Sequence, residues 1–182
     1  RDTNTSLGLV QNALVASASF DGLDQGSVLN PATVALAFFS FEVAGTPVNP
    51  VLAGAPDLDG DGRDDVAVLD PEYSGAALEQ GRVMFVLRAT MDGWAAGEVL
   101  ELSDGWDVQI VGEAELDRLA WVDVDFDIDG DGLSDLLLAS EDNDENGGVP
   151  GIEDGAGKFY VFLGARMQSL MPGTSLSAAE AE

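Results

Sequence analysis

Residues 57–65 read DLDGDGRDD and residues 127–135 read DIDGDGLSD. Five aspartates in nine positions repel one another unless a cation sits among them. A chain that writes the same costly loop twice, 70 residues apart (57 to 127), must fold so that each loop has a reason to exist. The alternation D-x-D-x-D-G aims carboxylates at positions 1, 3 and 5 into one concavity. Glycine at position 6 lets the backbone turn sharply there. Hard divalent cations want several oxygen ligands, and Ca²⁺ accepts about 6–8 of them at relaxed geometry.

The ligand sets follow from the spacing. In the first loop they are the side chains of Asp57, Asp59, Asp61 and Asp65 with the carbonyl of Arg63. In the second they are Asp127, Asp129, Asp131 and Asp135 with the carbonyl of Leu133. Asp64 has Ser134 as its counterpart and reads as solvent-facing. About two Ca²⁺ per chain are expected. An EF-hand needs a bidentate Glu at position 12 between two helices. Position 12 here is Val68 or Leu138, each inside an apolar run. The last carboxylate stands at position 9, directly before a strand.

The surrounding chain repeats as well. After the loops come VAVLD from Val66 and LLLAS from Leu136. Further on come GRVMFVLRA from Gly81 and GKFYVFLGA from Gly157, now 76 residues apart (81 to 157). Six extra residues fall in the acidic connector EDNDENGGVPGIEDGAG, where added length is cheap. At the same offset GEVLELSD from Gly97 corresponds to GTSLSAAE from Gly173. The runs are short, rich in Val, Leu, Phe and Tyr, and punctuated by Gly, Asp, Asn and Pro, which is the pattern of strands. Before the second loop, Val122, Val124 and Phe126 alternate onto one face. Residues 34–43 (VALAFFSFEV) read as a buried strand, residues 9–20 as a strand or a helix, and residues 110–120 as at most a short helix.

D-x-D-x-D-G-x-x-D feeding a strand resembles the FG-GAP repeats of integrin-α-type β-propellers, in bacterial form. Residues 57–69 with 81–88, and 127–139 with 157–164, match that layout. LSDGWDVQIVGEAELDRLAWVD resembles the lead-in of bacterial members, and the resemblance covers roughly residues 50–182. The family's Gly-Ala-Pro stands before the first loop, at 54–56, instead of after the loop strand, and no Phe-Gly dipeptide occurs. The resemblance implies an all-β fold of two-plus propeller blades with Ca²⁺-binding loops. The expected organisation is an N-terminal partial blade or capping strands (1–50), a first repeat (51–96), a second (97–172) and the start of a third (173–182). Propellers close with about 4–8 blades. A partial one calls for a protein partner, further copies, or the rest of a longer chain.

Composition narrows the function. With 34 acidic against 7 basic residues the formal charge is −27. Such a chain repels nucleic acid and anionic membrane, which recruit Lys and Arg. It contains no His and no Cys, so it lacks imidazole bases, thiolate nucleophiles and disulfides. Its single Lys, Lys158, sits in a strand-like run. The opening RDTNTSLGLV has no signal-peptide pattern. A secreted or cell-surface protein would then be in mature form or an excised fragment. The expectation is an extracellular, calcium-stabilised module for protein or glycan binding or for assembly, with structural ions and no catalysis. The alternatives are a structural subunit of a surface layer or filament, and an accessory part of a polysaccharide- or lipid-degrading enzyme. The acidic connector 141–154 and Trp94, Trp106 and Trp121 read as solvated loop and packing residues.

Overall fold

The computed structural model describes residues 51–55, 57–94, 105–119, 126–140 and 157–182 in full. It also describes the backbone strands at 11–15, 35–40, 42–43, 46–47, 98–101 and 121–125. The acidic connector 141–154, the burial of residues 34–43 and the side chains of Val122, Val124 and Trp121 lie outside the described residues. The protein is mostly β. Two compact units form: residues 1–49 with 89–105, and residues 50–88 with 106–182.

In the first unit, β1 (Gln11–Val15), β2 (Ala35–Ser40) and β8 (Glu98–Glu101) make a sheet in the order β1-β2-β8. The short strands β3 (Glu42–Val43) and β4 (Thr46–Pro47) pair with each other.

The second unit holds two sheets. β5 (Val51–Ala55), β6 (Asp65–Asp70), β7 (Arg82–Val86) and β9 (Val108–Val111) run as an antiparallel meander, and β13 (Thr174–Ser177) adds in parallel beside β9. β10 (Trp121–Phe126), β11 (Asp135–Ser140) and β12 (Lys158–Phe162) form a three-stranded antiparallel sheet. Alternation along the strands puts Ala67, Leu69, Val83 and Phe85 on one face of the first sheet. Leu136, Leu138, Tyr160 and Phe162 share a face of the second. All eight lie in one buried apolar cluster, so the two sheets share a core. Each large side chain buried there contributes about 1.5–3 kcal/mol.

The segment 110–120 departs from the short helix its sequence allowed. β9 ends at Val111, and turns follow. The Asp117 carboxylate takes the N–H groups of Glu113 and Ala114, both at 2.8 Å, and so removes donors a helix would have used. Leu116 and Arg118 adopt positive φ.

The strand pairing of the first unit follows a register found again in the second. Gln11 faces Ser40 and Ser40 faces Glu101; Arg82 faces Val111 and Val111 faces Ser177. The β1-β2-β8 pairing thus has the register of β7-β9-β13. In both cases the strand after a four-residue helix pairs in parallel with an earlier strand, β8 with β2 and β13 with β9. Those helices are α1 (Arg88–Met91) and α2 (Gly164–Met167).

Among the described residues no helix is long and apolar enough to cross a membrane.

Candidate metal centre

The two acidic loops occupy the same place in the two sheets of the second unit. Residues 57–65 join β5 to β6, and residues 127–135 join β10 to β11. Two glycines bend each loop: Gly60 and Gly62 have φ of 77° and 85°, Gly130 and Gly132 of 80° and 89°. A side chain is strained in that region, which is why the sequence writes D-G-D-G twice. The bends turn successive backbone N–H groups inward.

The first aspartate of each loop receives them. Asp57 accepts from Asp61 N–H at 2.9 Å and Gly62 N–H at 2.7 Å, one on each oxygen. Asp127 accepts from Gly130, Asp131 and Gly132 at 2.7, 3.1 and 2.9 Å. Asp59 and Asp129 each accept from the N–H two residues on, at 3.1 Å. Asp61 accepts from Arg63 N–H at 2.9 Å, and Asp131 from Leu133 N–H at 2.8 Å. A carboxylate offers about four lone-pair sites, so each retains capacity for a further partner.

Two groups of carboxylates converge. Asp57, Asp59 and Asp61 each place an oxygen within 4.8 Å of the others; so do Asp127, Asp129 and Asp135. In the first group the crowding has an electrostatic signature. Loss of hydration, with the charges of Asp61 and Asp57 adding to it, holds the Asp59 carboxyl above the usual aspartate range. Donor sets of this kind, all oxygen and all anionic, could hold a hard cation.

The loops differ at position 7. Arg63 folds back on Asp61, so the first loop carries an internal cation. Leu133 holds that place in the second loop, and its Cβ lies where a side chain on Gly164 would have to go. Asp64 is exposed.

The aspartates at position 9 do something the spacing did not announce. Asp65 is buried at the start of β6. One oxygen accepts the N–H of Leu58 at 2.8 Å and the other that of Arg88 at 2.7 Å. Asp135, buried at the start of β11, accepts Ile128 N–H at 2.6 Å and Gly164 N–H at 2.8 Å. Each carboxylate therefore ties its own loop to the entry of the helix that follows the third strand of its sheet. Asp135 also belongs to the second carboxylate group, whereas Asp65 lies outside the first, and Asp131 outside the second. Burial pushes the Asp65 carboxyl up to about 6. The only sequence signal for this tie is an aspartate placed directly before a fully apolar strand.

Other candidates take structural parts. Lys158 in β12 pairs with Glu113. Trp94 and Trp106 are partly buried. Gln80, which sequence reasoning passed over, bonds through its side chain to Gly112 O at 2.8 Å and to the N–H groups of Gly75 and Ala77 at 3.2 and 3.0 Å. It pins the β6–β7 turn against the segment after β9.

Compared with protein-family models the chain matches none, and no curated protein sequence matches it.

Proposed function

We propose that this protein is an extracellular, calcium-stabilised β module of the FG-GAP type, built of propeller-like blades and used for binding or assembly. The observation that carries the reading is the recurrence of one loop, with convergent carboxylates, at the same junction of two sheets. Asp57, Asp59 and Asp61 would hold one ion; Asp127, Asp129 and Asp135 the other. Bound Ca²⁺ would neutralise clustered charge and brace each loop against its sheet. Because the unfolded chain holds no such geometry, ion binding becomes folding stability. The wealth of acid and the lack of His and Cys favour scaffold over catalyst. Ligands of a module like this, protein or glycan, would meet its loops.

Calorimetric titration of metal-free protein with CaCl₂, paired with thermal melts, tests the reading. The expected result is about two ions per chain and a clear rise in Tm. At a free concentration of about 100 Kd each site adds about 2.7 kcal/mol. No heat of binding, and melting curves that superimpose in calcium and in excess chelator, would overturn it.

A further inference from the structure

The two sheets of the second unit are equivalent in sequence but not in burial. Phe159 in β12 is 73% exposed; its counterpart Val83 in β7 is 0% exposed. Ile128 in the second loop is 59% exposed, while its counterpart Leu58 is 4% exposed. Leu137, Ala139 and Val161 are half-buried where Ala67, Leu69 and Phe85 are buried. The difference has one source. The first sheet's face is covered by the second sheet, through Leu136, Leu138, Tyr160 and Phe162, and Leu58 lies in that same core with Met167 of α2. The corresponding face of the second sheet has no such cover among the described residues.

The edge of β12 tells the same story. On β7 the next strand, β9, is led in by Asp107. Its N–H donates to Phe85 O at 2.8 Å, and its carboxylate accepts Leu87 N–H at 2.8 Å. Glu182 repeats both contacts on β12. Its N–H donates to Val161 O at 3.0 Å, and its carboxylate accepts Leu163 N–H at 3.2 Å. Phe85 and Val161 are equivalent, as are Leu87 and Leu163. Glu182 thus stands where an antiparallel strand joins β12.

We propose that the open edge of β12 and the apolar face of Leu137, Ala139, Phe159, Val161 and Ile128 form the docking surface for a further repeat of this same kind. Its β9-like strand pairs with β12 on the line Glu182 sets, and its sheet covers Phe159 as the second sheet covers Val83. Edge pairing supplies main-chain hydrogen bonds, and the apolar positions fix register. A further repeat is favoured over a second copy of this chain. The apolar sheet face that would have to be offered, the counterpart of Leu136 and Phe162, consists of Val66, Val68, Met84 and Val86. Val68, Met84 and Val86 are buried already. Two chains of charge −27 also repel. The proposal deepens the assembly part of the function above and rests on that reading only there; it requires no metal.

The test appends residues 108–119 to the full chain directly after Glu182, so that Glu182 takes the part of Asp107. The register then sets the appended copy of Ile110 beside Phe159, as Ile110 faces Val83 in the first sheet. The expected result, at saturating calcium, is a higher Tm and at least tenfold slower hydrogen exchange of the Lys158–Phe162 amides. Phe159→Asp should erase both gains in the extended chain while leaving the melting of the unextended chain nearly unchanged. Unaltered exchange and Tm on extension would overturn the proposal. So would a dimer of the unextended chain that Phe159→Asp dissociates, since the occupant would then be a second copy. The calcium titration, run on the same samples, reports separately on the metal reading.

Discussion

Arg63 lays its guanidinium on Asp61, with Nε at 3.0 Å and Nη2 at 2.5 Å from the same carboxylate oxygen. The equivalent pair in the second loop is Leu133 and Asp131, with no side-chain cation. A metal entering the first loop must therefore compete with Arg63 for Asp61. Arg63→Leu should raise the calcium affinity of that loop by up to about fivefold, because an exposed ion pair contributes up to about 1 kcal/mol. Titration calorimetry on Arg63→Leu in an Asp129→Ala background, where the second loop is crippled, isolates the change. An unchanged or weaker affinity would show that Arg63 does not oppose the ion.

Asp135 separates a structural role from a ligand role. Removing its carboxylate strands the buried N–H of Gly164, worth about 1–3 kcal/mol when left unpaired, together with the part-buried N–H of Ile128. Asp135→Ala should lose about 2–5 kcal/mol of unfolding free energy even in excess chelator. Asp129→Ala should lose stability mainly when calcium is present. Denaturant melts in both buffers check this, and equal losses for the two variants in chelator would refute the distinction.

Asp65 predicts a pH dependence. Burial raises its folded-state pKa from 3.8 to about 6, so the folded protein holds that proton more tightly than the unfolded chain. The stabilisation it brings is fully present below about pH 4 and is lost as pH rises through 6. Asp65→Asn has no such proton to lose. In metal-free buffer the stability difference between the two proteins should therefore move in favour of Asp65→Asn between pH 4 and pH 7. A constant difference, or one of opposite sign, would mean the carboxyl is not raised.

Gly112 faces the backbone of Gln80 so closely that a Cβ would stand 1.9 Å from its carbonyl oxygen. The obstructing atom belongs to the backbone, which cannot swing away as a side-chain end could. Gly112→Ala should destabilise by about 3 kcal/mol or more, whereas Gly130→Ala, in open space at φ of 80°, should cost about 1–2 kcal/mol for backbone strain alone. Paired denaturant melts measure the two.

Much of the local structure was legible. VAVLD and LLLAS fall within β6 and β11, the runs opening at Gly81 and Gly157 contain β7 and β12, and the segments from Gly97 and Gly173 contain β8 and β13. Period-two apolar runs bounded by Gly and Asp have few other ways to fold in water. The acidic loops were legible for the same reason: their glycines and aspartates act within nine residues of each other. The pairing of the N-terminal strands was not, because QNALV and RVMFV share a pairing register but little side-chain pattern. Nor was the tie made by Asp65 and Asp135, since their partners Arg88 and Gly164 lie 23 and 29 residues away.

The sequence by itself determined strands, bends and the two clusters of carboxylates, because propensity, glycine geometry and charge crowding are short-range effects. Tertiary structure alone decided which strand lies beside which, with β13 joining β9 in parallel across a repeat boundary. It alone decided that one face is sealed at Val83 and open at Phe159. Burial is a property of neighbours, and two repeats of one pattern differ in what stands next to them.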